Sequence, residues 1–141
     1  MDQRKGIVWI WPVIVDVETA RRVSRQGFWA ATWVAGVTAL LALLSTLGVN
    51  IWNFDLYALV DALIFAIIGW GIHRLSRTAA VAGICLYLLE RAYMWATFGP
   101  KNPFVAAIFI LMFINGVRGT FAFHKFSREA MLRKDVETIS T

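Results

Sequence analysis

The sequence predicts an all-α integral membrane protein, a bundle of four transmembrane helices preceded by an N-terminal segment at the membrane interface. Hydrophobic residues make up 59% and charged residues only 16% of the 141 residues, whereas soluble domains contain about 45–50% and about 25%. A helix needs about 20 apolar residues to cross about 30 Å of hydrocarbon, and four stretches are close to this length. Lys and Arg residues are concentrated in alternate connections between these stretches.

Turn-forming residues separate the four apolar stretches. The predicted spans are about 28–47, 56–72, 79–98 and 103–123. The first contains no charged residue, and charged residues interrupt the other three. Turns are predicted around 48–55 and 99–103, with Pro103 suited to the first turn of the fourth helix. The middle connection, 73–78, is short, which predicts that the second and third helices are antiparallel neighbours.

The distribution of Lys and Arg predicts the orientation of the spans. Eleven of the fourteen lie in the N-terminal segment, the middle connection and the C-terminal tail, and the other two connections contain only Lys101. Short loops rich in Lys and Arg stay in the cytoplasm, so both termini are expected there. The predicted parts are 1–27, a cytoplasmic or interfacial segment, 28–123, the transmembrane domain, and 124–141, a basic cytoplasmic tail.

The N-terminal segment is not expected to act as a signal peptide, because Pro12 interrupts its apolar run and small residues for cleavage are missing. The run is too short to span, and Trp9 and Trp11 place it in the inner headgroup layer or beneath the bundle. Asp16 is expected to cap a short helix, from Val17 to about Gln26. Docking on a partner is the alternative role. Anionic lipid headgroups are the expected partners of its arginines, Arg21, Arg22 and Arg25.

Three short boxes share the order basic or His, basic, apolar, Ser and Arg. They are 21–25, 73–77 and 124–128. One interpretation is two tandem helical hairpins, which would bring Ser24, Ser76 and Ser127 to one membrane level. The alternative is that the preference for basic residues on the cytoplasmic side produced each box independently.

His73 and His124 occupy matching positions in the second and third boxes. They are weak candidates for ligands of a haem or metal shared between the second and fourth helices. Contact with the negative C-terminal end of a helix explains either histidine equally simply. Neither a Cys pair nor a spaced His motif supports a metal site, so no cofactor and no metal are expected.

Five polar residues within the spans are the candidate functional residues, because ionisable groups cost about 2.5–3.5 kcal/mol at the membrane centre. They are Asp61, Glu90, Arg91, Asn115 and Arg118. The Arg118 side chain is expected to extend to the cytoplasmic surface. Asp61 and Arg91 are expected to form a buried ion pair, with Glu90 facing another element or partner. A proton, ion or solute pathway and a contact with another subunit are the alternatives.

Small residues at helical spacing predict where the helices pack, because close approach drives association in lipid. They are Ala31, Ala35 and Ala39 in the first helix, Gly69 and Gly71 in the second, Ala79 and Gly83 in the third, and Gly116 and Gly119 in the fourth.

Two stretches resemble known families. Residues 115–125, NGVRGTFAFHK, resemble the closing stretch of small uncharacterised four-span bacterial inner-membrane proteins. This resemblance covers that stretch alone and implies a bacterial inner-membrane location without a known activity. Glu90-Arg91 is similar to a pair on a span of the membrane-associated eicosanoid and glutathione metabolism family, whose remaining polar pattern this sequence lacks.

The expected function is that of a small non-enzymatic accessory or interaction subunit, which associates with itself or with another membrane protein. The alternative is a small oligomeric transporter or channel that uses Asp61 or Glu90. A membrane enzyme is the third class, and it needs a pocket with several convergent polar groups. No catalytic residue is predicted. Nucleic-acid binding is not expected, because the basic residues form no dense patch.

Overall fold

The computed structural model describes residues 10–48, 56–100 and 102–140, and within these ranges it contains four α-helices and no β-strand. The helices are α1 (Val17–Thr46), α2 (Leu56–His73), α3 (Arg77–Phe98) and α4 (Pro103–Ser140). The predicted all-α bundle is confirmed. Three helices, α1, α3 and α4, are long and apolar enough to cross a membrane. In α2, the stretch Ala58–His73 forms a shorter apolar helix.

Helix α1 is longer than the sequence predicts. Asp16 caps it as expected, since its carboxylate accepts a hydrogen bond of 2.7 Å from the Thr19 amide. The expected short helix ending near Gln26 was wrong, because α1 continues without a break to Thr46. No proline follows Asp16 before the end of α1, so nothing in this stretch interrupts the helical hydrogen bonds. A single continuous helix therefore contains both the basic residues and the apolar residues that follow them.

Helix α4 is also longer than the predicted span. It starts at Pro103 as expected and continues beyond Phe123 to Ser140. The residues after Phe123 are mostly Lys, Arg, Glu, Met, Leu and Ala, which favour helix even without tertiary contacts. The tail is therefore a helical extension of the last span.

Two tight connections are described. Between α2 and α3, Leu75 adopts a left-handed conformation with φ of 59°, and the Ser76 hydroxyl accepts a hydrogen bond from the Ala79 amide. Between α3 and α4, Gly99 and Asn102 have φ of 77° and 50°, and Pro103 follows. The second and third helices are antiparallel neighbours, as predicted. Most of the expected first turn, 49–55, lies outside the described residues.

The helices form a closed ring in which each packs against the next and α4 returns to α1. Along the contact between α1 and α4, residue numbers increase in one helix while they decrease in the other, so the two helices are antiparallel. The centre of the ring is filled by large side chains from three helices, chiefly Phe65 of α2, Tyr87 of α3 and Phe113 of α4.

Small residues mark the helix contacts, as predicted. Gly69 faces Ala31, Gly71 faces Ala79, and Gly83 faces Phe113. The closest approach is between Gly27 of α1 and Gly116 of α4. A Cβ at Gly119 would overlap the backbone nitrogen of Ser24. The lack of side chains at these positions therefore allows α1 and α4 to come into backbone contact.

Candidate functional site

The halves of α2 and α3 that lie away from their connecting turn bring two acidic residues together. Asp61 of α2 lies beside the Glu90 carboxyl of α3, and both residues are half-buried. Two ionised carboxylates are both acceptors, so a hydrogen bond between them requires a proton on one of them. Oε1 of Glu90 is buried and accepts no hydrogen bond from the described residues. A proton on either carboxyl group would therefore allow a hydrogen bond between Asp61 and Glu90.

The predicted ion pair between Asp61 and Arg91 was wrong. Arg91 instead donates a hydrogen bond of 3.0 Å to the hydroxyl of Tyr87, and its guanidinium lies 5.2 Å from the centre of that ring. Tyr87 is one turn before Arg91, so both lie on one face of α3. Glu90 precedes Arg91 by one residue and is rotated by about 100° around the helix, which turns it towards Asp61.

Asn115 holds the N-terminal segment against the bundle. Its side-chain nitrogen donates hydrogen bonds of 2.9 Å to the backbone oxygen of Ile10 and to Oε1 of Gln26. Its side-chain oxygen accepts one of 3.1 Å from Arg118. Asn115 is 1% exposed, and these bonds use both its donor hydrogens and its acceptor. The described start of the segment, 10–16, therefore lies beside α1 and α4, and Trp9 lies outside the described residues.

The sequence predicts that Arg118 extends to the surface, but in the structure its side chain packs against the N-terminal segment. It is half-buried, and its guanidinium lies 3.8 Å from the centre of the Trp11 ring. Among aromatic side chains, Trp is the most favourable partner for a cation over its ring face. Together with its bond to Asn115, this contact makes Arg118 a second attachment for the N-terminal segment.

The two histidines make different contacts. Nε2 of His124 lies 2.9 Å from the carbonyl oxygen of Leu75, which joins α4 to the turn between α2 and α3. The His73 ring lies 5.0 Å from the Phe28 ring of α1. Among the described residues, no group of three or more His, Cys, Asp and Glu residues is arranged to hold a metal ion.

The three sequence boxes meet at one end of the bundle, called here the basic end and defined by Arg21, Arg25, Arg74, Arg77, Lys125 and Arg128. One cavity joins the first two boxes, and a second joins Arg77 to the third. Two of the three serines differ in role. Ser24 is buried and hydrogen-bonded to Thr120 at 2.9 Å, whereas Ser76 caps a helix. Duplication of a hairpin stays a prediction.

Several residues at these sites were not singled out as candidates. Tyr87, Gln26 and Thr120 hydrogen-bond to Arg91, Asn115 and Ser24 in turn. The spacing of Tyr87 from Arg91 is a usable signal, because residues four apart meet on a helix. Gln26 and Thr120 carry no such signal, since their partners lie on another helix.

Comparison of the chain with protein-family models, with curated proteins and with solved structures found no match. Conclusions about function therefore rest on the geometry of these polar contacts and surfaces.

Proposed function

We propose that this protein is a small bacterial inner-membrane protein with four spans and both termini in the cytoplasm, and that it is a non-enzymatic interaction subunit. The convergence of the basic boxes at one end of the bundle supports this orientation, because Lys and Arg are retained on the cytoplasmic side. The resemblance of residues 115–125 to bacterial inner-membrane proteins supports the location.

The extension of α4 is the observation that carries this proposal. At about 1.5 Å per residue α4 is about 57 Å long, well beyond the about 30 Å of hydrocarbon. Its last turns are exposed on all sides. They nevertheless carry Leu132, Val136 and Ile139, which are 56%, 66% and 85% exposed. Spacings of four and three residues place these side chains along one stripe.

An apolar stripe on an isolated helix in water favours pairing with a second helix, because that removes apolar surface from water. The partner that fits is a helix with a complementary apolar stripe, from a second copy or from another membrane protein. This part of α4 makes no contribution to the core of the bundle. Its apolar residues therefore have a use in association that they lack in the isolated fold.

Native mass analysis after gentle detergent extraction tests the proposal. The wild-type protein should be found in an assembly heavier than its own 15.9 kDa. A variant with Leu132→Gln, Val136→Gln and Ile139→Gln should be found at the mass of one chain. The matched control is Lys134→Gln with Glu137→Gln, which changes the opposite face without changing net charge, and it should keep the assembly. A wild-type protein found only as single chains would contradict the proposal.

A small oligomeric transporter or channel is the second candidate, and the contact between Asp61 and Glu90 favours it. Two carboxyl groups that share a contact in a span are suited to take up and release a proton. Proteoliposomes with an imposed pH gradient test this function. The wild type should dissipate the gradient, Glu90→Gln should not, and the control Glu129→Gln on the α4 extension should behave as wild type. Equal rates for wild-type and Glu90→Gln vesicles would exclude this role for the pair.

A further inference from the structure

A cavity of about 340 Å³ opens at the basic end, between α1 and the turn that joins α2 to α3. Its polar lining is unusually rich in cationic groups. The polar side chains that line it are Arg21, Ser24, Arg25, His73 and Arg74. No carboxylate of the described residues lines it. The cavity is therefore a concave surface with an excess of hydrogen-bond donors and positive charge.

The positive charges come from two directions. Arg21 and Arg25 are one turn apart, so they lie on the same face of α1, and Arg74 approaches from the turn after α2. Like charges at this spacing repel each other. An anion placed between them would replace that repulsion by attraction.

Aromatic rings hold two of the guanidinium groups. Arg74 lies 4.5 Å from the centre of the Trp70 ring, and Arg21 lies 5.5 Å from the centre of the Phe123 ring. A cation–π contact of this kind restricts the guanidinium group before a ligand binds. Less conformational entropy is then lost on binding.

The cavity lies next to residues that mark a membrane interface. Trp70 is 59% exposed on the outer face of α2, and Trp residues concentrate at the level of lipid headgroups. In a membrane, the cavity would then face the layer that contains lipid phosphates. A basic pocket between helices on the cytoplasmic side is a typical place for an anionic headgroup.

We propose that this cavity binds a phosphate group, held by the guanidinium groups of Arg21, Arg25 and Arg74. Arginine matches phosphate oxygens with paired N–H donors, which makes phosphate the anion that this lining fits best. The phosphate has two possible sources, the headgroup of an anionic lipid and free phosphate in solution. The inference goes beyond the proposed function, and only the lipid source rests on the proposed membrane placement.

Thermal unfolding of the full chain in detergent tests the site and identifies the source. Three additions are compared: phosphatidylglycerol, diacylglycerol with the same acyl chains, and inorganic phosphate. A rise in Tm with phosphatidylglycerol but not with diacylglycerol assigns the effect to the headgroup. An equal rise with inorganic phosphate supports a phosphate site supplied from solution. No rise with either phosphate compound, or an equal rise with diacylglycerol, would overturn the proposal.

Variants locate the effect in the cavity. Arg25→Gln with Arg74→Gln should lower the affinity for phosphatidylglycerol about 30-fold, since each arginine near such a surface contributes about 1 kcal/mol. The control Arg22→Gln with Arg133→Gln loses the same charge outside the cavity and should retain most of the affinity. Equal losses in both variants would show attraction by net charge alone and would overturn a discrete site.

A third variant guards against loss of folding. Arg25 is exposed, and no ring within residues 10–48, 56–100 and 102–140 stacks on it, so Arg25→Gln alone should keep the wild-type Tm without ligand. It should still show weaker binding, and unchanged affinity in this folded variant would count against the site. Native mass analysis of the same variant separates the two proposals, since the α4 extension is intact and any assembly should persist.

Discussion

Gly27 of α1 and Gly116 of α4 lie opposite each other, so close that a Cβ built on either would stand 2.8 Å from the Cα of the other. Because the obstructing atom belongs to the backbone, a side chain there requires the helices to separate. We expect Gly116→Ala to destabilise the bundle by about 1–3 kcal/mol, the typical cost of overpacking. Thermal unfolding in detergent measures the effect.

The control for this prediction is Gly36→Ala in α1. A Cβ at Gly36 would meet nothing within 4 Å, so the substitution should stabilise α1 by about 0.5–1 kcal/mol through helix propensity. Similar Tm values for the two variants would show that α1 and α4 do not pack as closely as described.

The hydrogen bonds of Asn115 predict a specific release of the N-terminal segment. Asn115→Ala removes the donor to the Ile10 carbonyl and the acceptor for Arg118. A spin label at Val13→Cys, in a Cys85→Ser background, should become more mobile in that variant. Val13 is exposed, so the label itself should fit without disturbing the contact.

Arg118→Gln should also increase the mobility of the label, since it removes the stacking on Trp11. The matched control is Arg133→Gln on the exposed end of α4, and it should leave the label unchanged. Unchanged label mobility in both Asn115→Ala and Arg118→Gln would contradict the described attachment.

The contact between Asp61 and Glu90 predicts a stabilising substitution. In Glu90→Gln the new amide can donate a hydrogen bond to Asp61 without a proton, so we expect a gain of about 0.5–1.5 kcal/mol at alkaline pH, where both carboxyls of the wild type are ionised. Glu129→Gln on the α4 extension is the control and should have little effect. A clear loss of stability in Glu90→Gln would mean that this carboxylate has another partner.

The same geometry predicts that Asp61 and Arg91 are not directly coupled. Arg91 is bound to Tyr87, so Arg91→Gln and Asp61→Asn should change the free energy of unfolding additively. A double-mutant cycle measures this. A coupling free energy well above about 0.5 kcal/mol would restore the ion pair that the sequence favoured.

The N-cap of α1 predicts a pH dependence at the start of that helix. Hydrogen bonds from the Thr19 side chain and then its amide lower the pKa of Asp16 below its ordinary value of 3.8. Because the folded pKa is the lower one, the cap is fully stabilising above 3.8 and is lost as the pH falls through the folded value.

An NMR titration of the Thr19 amide follows the loss of this cap. The wild type should show the transition below the ordinary carboxyl range. Asp16→Asn keeps an acceptor oxygen but has no titrating group, so its Thr19 signal should not follow that transition. A wild-type midpoint at or above 3.8 would refute the lowered pKa.

The proposed orientation predicts opposite labelling of two positions. Single cysteines at Ser140 and Asn50, in a Cys85→Ser background, should react with a membrane-impermeant reagent from opposite sides of the membrane. Asn50→Cys should react in intact cells and Ser140→Cys only after the membrane is opened. Cys85→Ser alone is the unlabelled control. Reaction of both cysteines from outside intact cells would exclude this topology.

The sequence by itself determined the helical class, the approximate helix positions and the places where the helices pack. Apolar stretches, the Asp16 cap and Pro103 are local signals, and each acts within a few residues of where it stands. Gly69, Gly83 and Gly116 mark helix contacts because two helix backbones can approach closely only where the side chains between them are small.

The tertiary structure alone decided which polar residues meet. Successive residues of a helix point about 100° apart, so Glu90 and Arg91 point in different directions. Their spacing does not show which of the two faces α2. The rotation of α3 relative to α2 places Glu90 beside Asp61, whereas Arg91 contacts Tyr87. Asn115 likewise meets Ile10 because the chain folds back beside α1 and α4, a contact that no local pattern encodes.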